Sequence, residues 1–131
     1  MTTTHNVFVY GTLCNGESNH HLLKNSRCLL KSCWTHGQLF DSGLGYPAIK
    51  KCETNIVLGE LYTVTDEVLK QLDKLEDFEE GGHLNLYNRV IQTIYTHSNQ
   101  LKAFVYIAND FSLLKTPIKS GDWPSYRNAL L

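Results

Sequence analysis

Val7-Phe8-Val9-Tyr10-Gly11-Thr12-Leu13 is the stretch on which the reading of the fold depends. Three apolar residues and an aromatic one run straight into a glycine, as a buried strand does before a tight turn. Such side chains suit a pleated, packed surface, and Gly11 tolerates backbone angles that a Cβ would resist. The loop that follows is a candidate binding site, because successive backbone N–H groups in such a turn point at one anion or oxyanion without side-chain charge. An ordinary strand exit is the other reading of the same seven residues.

Around this stretch the chain has 131 residues, enough for one domain with a real core and too few for two, so residues 1–131 are read as a single domain. With 42% hydrophobic and 19% charged residues, it is globular rather than disordered or fibrous. Twelve Lys and Arg against thirteen Asp and Glu give a formal charge of −1. That balance provides no field to attract nucleic acid or an anionic membrane, which leaves small molecules as the expected partners. No segment reaches bilayer-spanning length and the N-terminus lacks a basic region followed by an apolar run, so a cytoplasmic location is expected. Cys14, Cys28, Cys33 and Cys52 show no C-x-x-C spacing and are read as reduced thiols. The adjacent His20 and His21 face different sides of any regular element, so no metal site is expected.

Leu29 to Phe40 reads as one long strand ending at the loop 41–45, and Ser18 or Asn19 as a cap for a short helix over 20–24. In Tyr46-Pro47 the proline fixes its own φ and biases Tyr46 toward an extended conformation. That makes Tyr46 either a rigid loop edge or the wall of a pocket. Ile56 to Val64 is a further strand, in which Gly59 marks a bulge or the close approach of another backbone. Leu86–Tyr95 and Leu101–Ala108, joined by a short polar link, read as an antiparallel hairpin. On its first strand Tyr87, Arg89 and Ile91 share a face. Asp122 is a cap for a short terminal helix, and Trp123 is expected to pack against the barrel or sheet as a lid.

The clearest helix runs from Thr65 to Glu76, with Thr65 as N-cap and Asp66 and Glu67 beside the positive end of its dipole. At 3.6 residues per turn, Val68, Leu69, Leu72 and Leu75 form one stripe, and Glu76 falls inside it. A carboxylate on an apolar face must be paired, hydrogen-bonded or protonated, because desolvation disfavours its charged form. Glu76 is therefore a candidate acid–base group if the last turn holds, and a solvated side chain if it frays.

Val-Tyr-Gly-Thr-Leu (9–13), Gly-Tyr-Pro-Ala (45–48), Gly-Glu-Leu-Tyr (59–62), Leu-Asp-Lys-Leu-Glu (72–76), Tyr-Asn-Arg (87–89) and Ser-Gly-Asp-Trp (120–123) occur in an order that resembles the γ-glutamylcyclotransferase-like family, in particular its AIG2-like and γ-glutamylamine cyclotransferase members. The resemblance implies an α+β fold, a small mixed β-barrel with a few surrounding helices. It also implies a reaction: the α-amino group of a γ-glutamyl unit attacks its own γ-carbonyl, closing 5-oxoproline and releasing the amine, with no metal or organic cofactor. By the same resemblance Glu76 is the acid/base, and Tyr10, Gly11, Thr12 and Leu13 bind substrate. Tyr46, Tyr87 and Arg89 are added as substrate-binding candidates on their placement. The expected partner is a small γ-glutamyl substrate, and the protein is expected to be a monomer or a homodimer.

Two positions depart from the family pattern. Many members have Arg where this chain has Cys14, and Gly where it has Asp77. These departures keep two other readings open: a binding module on the same barrel without turnover, and a cysteine nucleophile, Cys14, served by His20 or His21.

Overall fold

The second half of the first strand, Val7 to Val9, is buried on both faces. The computed structural model describes residues 3–130. In chain order it forms β1 (Thr4–Val9), β2 (Arg27–His36), β3 (Gln38–Asp41), β4 (Pro47–Lys50), β5 (Ile56–Thr65), α1 (Asp66–Leu75), β6 (Tyr87–Tyr95), β7 (Gln100–Ala108), β8 (Thr116–Ile118) and α2 (Trp123–Ala129). Strands β1-β5-β2-β6-β7 close into a barrel, and β4-β3-β8 make a three-stranded sheet beside it. The barrel is mixed: β1 pairs antiparallel with β5 and parallel with β7, at Val7 opposite Phe104.

Alternation along β1 divides the core. Val7 and Val9 pack with Leu69 and Leu72 of α1, whereas Phe8 and Tyr10 pack with Leu39 and Ile49 of the small sheet and with Trp123. A strand that is covered on both sides reads as a continuous apolar run, which is why Val7-Phe8-Val9-Tyr10 shows no polar alternation.

The expected long strand 29–40 is in fact two strands that belong to different sheets. β2 ends at His36 and β3 begins at Gln38. At the corner between them a Cβ on Gly37 would lie 2.6 Å from Ile49 Cγ2. The missing side chain lets the chain turn out of the barrel against β4. The apolar content of both halves is strand-like, so composition alone does not reveal the break.

The hairpin forms as expected, in register from Tyr87 opposite Ala108 to Tyr95 opposite Gln100. Gly59 marks a close approach: a Cβ there would meet the Val9 carbonyl oxygen at 2.3 Å. Residues 20–23 form a single 3₁₀ turn, and Asn19 gives it no side-chain cap. Trp123 packs against the barrel and the small sheet as expected, but as a buried residue rather than a lid, at the start of α2, which Asp122 caps by accepting from the Ser125 N–H.

Candidate active site

Glu76 is placed by the way α1 ends. Thr65 caps the start, its hydroxyl oxygen accepting from the Val68 N–H, and Leu69 and Leu72 bury the apolar stripe. At the other end the Asp77 N–H donates to the Lys74 carbonyl (3.2 Å) and the Phe78 N–H to the Asp73 carbonyl (2.8 Å). Asp77 lies at φ +52°. Those two bonds and the left-handed residue define a Schellman closure, in which the Phe78 side chain folds onto the core and Glu76 is the capping residue. The last turn is therefore tied down and does not fray.

The cleft that Glu76 faces has a volume of about 150 Å³. Such a space suits a small-molecule ligand. Its walls include Tyr10, Gly11, Thr12, Leu13, Tyr46, Glu76 and Tyr87, so seven of the eight residues singled out in the sequence share one site. Among the described residues none of those lining the cleft is Lys, Arg or His. A negatively charged ligand group must then be held by dipoles rather than by a side-chain cation.

The loop after β1 offers those dipoles. The Cys14 N–H returns to the Gly11 carbonyl at 3.0 Å and the Asn19 N–H to the Thr12 carbonyl at 2.8 Å, which fold the loop into a tight turn. Among the described residues the N–H groups of Gly11, Thr12 and Leu13 find no protein acceptor. The Asn19 side chain also donates to Thr12 Oγ1 (3.0 Å), pinning the turn from the cleft side. Gly11 does not adopt a left-handed φ. It is needed for a different reason: a Cβ there would lie 2.7 Å from Pro47 Cγ, so the loop can pack on the Tyr46-Pro47 segment only without a side chain.

Burial pushes the Glu76 carboxyl up to about 7. Among the described residues no group donates a hydrogen bond to it, and none forms an ion pair with it. Four tyrosines surround this carboxyl, and the phenol of each is raised first by burial and then by neighbouring charges that include Glu76. The site thus holds a single acidic group that titrates near neutrality, in a wall of neutral phenols.

Arg89 does not line the cleft. Its guanidinium pairs with Asp73 and lies over the rings of Phe104 (4.5 Å) and Phe78 (5.1 Å). It shares a strand face with Tyr87, as expected, but one step further along, where α1 presents Asp73. Sequence reasoning missed Asn19, Pro47, Leu75, Leu86 and Tyr106, all of which line the cleft. Tyr106 had a signal: once the hairpin register is drawn it stands opposite Arg89, on the face that carries Tyr87. For Asn19 and Leu86 the sequence carries none.

A family model described as γ-glutamyl cyclotransferase, AIG2-like, matches residues 7–125. The chain belongs to this enzyme family. It is 37% identical over 123 residues to the γ-L-glutamyl-butirosin B γ-glutamyl cyclotransferase of Niallia circulans, covering 93% of this chain and 77% of that one. Against γ-glutamylaminecyclotransferase A of Danio rerio the identity is 31% over 126 residues, with 81% and 70% covered. The crystal structure of YkqA from Bacillus subtilis superposes with a TM-score of 0.80 at 28% identity, over 98% of this chain and 42% of that one. An AIG2-like protein from mouse shares the fold at a TM-score of 0.69 and 24% identity, covering 86% and 85%.

Both departures from the family pattern leave the cleft intact. Asp77 occupies the left-handed position that a glycine takes most easily, and aspartate is one of the few side chains that tolerate it. Cys14 is buried outside the cleft lining, its thiol donating to the Val9 carbonyl at 3.6 Å, and burial raises its pKa well above the ordinary thiol range. His20 Nδ1 is bonded to the Leu13 carbonyl at 2.9 Å and His21 Nδ1 to the Ser18 carbonyl at 3.3 Å, neither to the thiol. A neutral thiol without a base is no nucleophile, which removes that reading.

Proposed function

We propose that this chain is a γ-glutamyl cyclotransferase in which Glu76 moves the protons and the Gly11 loop holds the glutamyl unit. The supporting observation is the pairing, across one cleft, of a carboxyl group raised to about 7 with a turn whose N–H groups have no protein acceptor. The Gly11, Thr12 and Leu13 donors suit the α-carboxylate and the γ-carbonyl oxygen, both of which are acceptors.

The substrate enters with its α-amino group as an ammonium. Ionised Glu76 takes one proton, and the free amine attacks the γ-carbonyl carbon, forming the ring C–N bond while the carbonyl π pair moves onto oxygen. The loop donors stabilise that oxyanion. Protonated Glu76 then passes its proton to the departing nitrogen, the C–N bond to the amine breaks, and the carbonyl reforms. A second proton passes from the ring nitrogen by way of the same carboxyl, so the products are 5-oxoproline and an ammonium. A carboxyl group near 7 accepts and returns a proton with little cost in either direction. Holding the glutamyl chain folded in the cleft supplies the proximity that an intramolecular attack exploits.

Incubation with a panel of γ-glutamyl amines and γ-glutamyl dipeptides, with 5-oxoproline as the measured product, tests the proposal. Release of 5-oxoproline with the free amine is the expected result. Saturable binding of these compounds without product over prolonged incubation would instead identify a binding module.

A further inference from the structure

The four tyrosines around Glu76 differ in what their hydroxyls do. Tyr10 donates to the Tyr106 carbonyl (2.7 Å), Tyr87 to the Pro47 carbonyl (2.6 Å) and Tyr106 to Asp73 Oδ1 (2.6 Å). Among the described residues the Tyr46 hydroxyl has no such partner. Its main chain, by contrast, is fixed: the Tyr46 carbonyl accepts from the Ser42 hydroxyl (2.5 Å) and the Ser42 N–H (3.4 Å), and Pro47 follows immediately. Its ring packs against that of Tyr87, with centroids 6.4 Å apart. Tyr46 and Glu76 thus line the same cleft, each with a side-chain polar group that takes no hydrogen bond from the described residues.

We propose that the Tyr46 hydroxyl is a second catalytic group, hydrogen-bonded to the nitrogen of the scissile amide. The assignment rests on the cyclotransferase reading and deepens it. The loop supplies only donors, and these match the carboxylate and carbonyl oxygens. The amide nitrogen is the remaining polar atom at the reacting centre. It carries a hydrogen to give in the bound substrate and a lone pair that becomes basic as the ring closes. A hydroxyl serves both stages, because it accepts as well as donates. Burial, then the neighbouring Glu76 and Asp110, keep the phenol protonated, so it orients the nitrogen while Glu76 carries the protons.

The test compares Tyr46→Phe with the unmodified protein on two γ-glutamyl amides, one releasing a basic alkylamine and one a weakly basic aniline. Expected for Tyr46→Phe is a fall in kcat of about tenfold on the alkylamide, the worth of one hydrogen bond made mainly in the transition state, with KM little changed. The fall on the anilide is smaller, because that nitrogen departs with less help. The melting temperature stays unchanged, whereas Tyr87→Phe, which loses a buried bond, melts lower. Activity of Tyr46→Phe within about twofold of the unmodified protein, or equal losses on the two amides, overturns the assignment and leaves the reaction standing. Absence of turnover in the unmodified protein overturns the reaction reading and this assignment with it.

Discussion

Asp73 and Glu76 leave α1 within one turn of each other, yet only Asp73 is paired. Asp73 accepts from the Tyr106 hydroxyl and holds Arg89, while the Glu76 carboxyl takes no protein hydrogen bond and its pKa is raised by burial. Two carboxylates on one helix are thereby separated into an anchor and a group free to exchange protons. The anchor also orders the site, because the Tyr106 carbonyl in turn accepts from Tyr10, the residue that leads into the Gly11 loop. Environment assigns these two roles, since the residue chemistry is nearly the same.

Replacing Glu76 by Gln keeps the shape of the side chain and removes its ability to accept a proton. Turnover of γ-glutamyl amides is expected to fall at least about a hundredfold, the lower range for a positioned acid or base, with binding of 5-oxoproline retained. Steady-state kinetics beside an equilibrium binding measurement separate the two effects. Unchanged turnover in Glu76→Gln would sink the mechanism.

The raised pKa of Glu76 also makes stability depend on pH. Its carboxyl titrates near 7 in the folded chain and near the ordinary 4.5 when unfolded. Between those values the folded state binds more protons, so stability declines as pH rises from 4.5 and levels off above about 7. The full difference has an upper bound of about 3 kcal/mol. Gln lacks this dependence, and the other carboxylates are common to both proteins. The melting temperature of Glu76→Gln minus that of the unmodified protein is therefore expected to grow between pH 5 and pH 8. A constant difference across that range would show that Glu76 is solvated.

Asp77 carries a left-handed backbone, at φ +52°, as the price of closing α1 over Glu76. Asp77→Gly removes the Cβ that opposes this conformation and keeps both Schellman hydrogen bonds. A gain of about 1 kcal/mol is expected, read as a rise in denaturation midpoint at unchanged m-value, with activity preserved. Destabilisation by this substitution would mean that the Asp77 side chain makes the loop.

The fold was legible in the sequence wherever a pattern is local. The period of α1, its Thr65 cap, the hairpin and the close approach at Gly59 all follow from neighbours along the chain. The break at Gly37 was hidden because it depends on Ile49, a contact from another strand that composition does not register. At the site, Glu76 was visible as a polar residue in an apolar stripe. Arg89 looked like a site residue because Tyr87 beside it is one. Its actual partner, Asp73, lies on α1, and the pairing depends on how that helix packs on the barrel. The full burial of Trp123 depends on the small sheet, which has no sequence signature of its own.

Gly11 ties the opening strand to the rest of the site, and its role is steric. A Cβ there would lie 2.7 Å from Pro47 Cγ and 2.8 Å from Pro47 Cδ, closer than carbon atoms approach without displacement. Pro47 is poorly placed to yield: its carbonyl accepts from the buried Tyr87 hydroxyl, and β4 pairs it with Asp41. In Gly11→Ala the strain must therefore spread into the loop itself or into Tyr46, which precedes Pro47, and both carry groups assigned to the substrate. Overpacking of this kind costs about 1–3 kcal/mol. The expected result is a melting temperature lowered by several degrees together with a loss in kcat/KM of more than about tenfold, beyond what the lost stability explains, since the assay is run where the variant is folded. A variant that is destabilised yet fully active would show that the loop and the Tyr46 segment need not touch for the site to work.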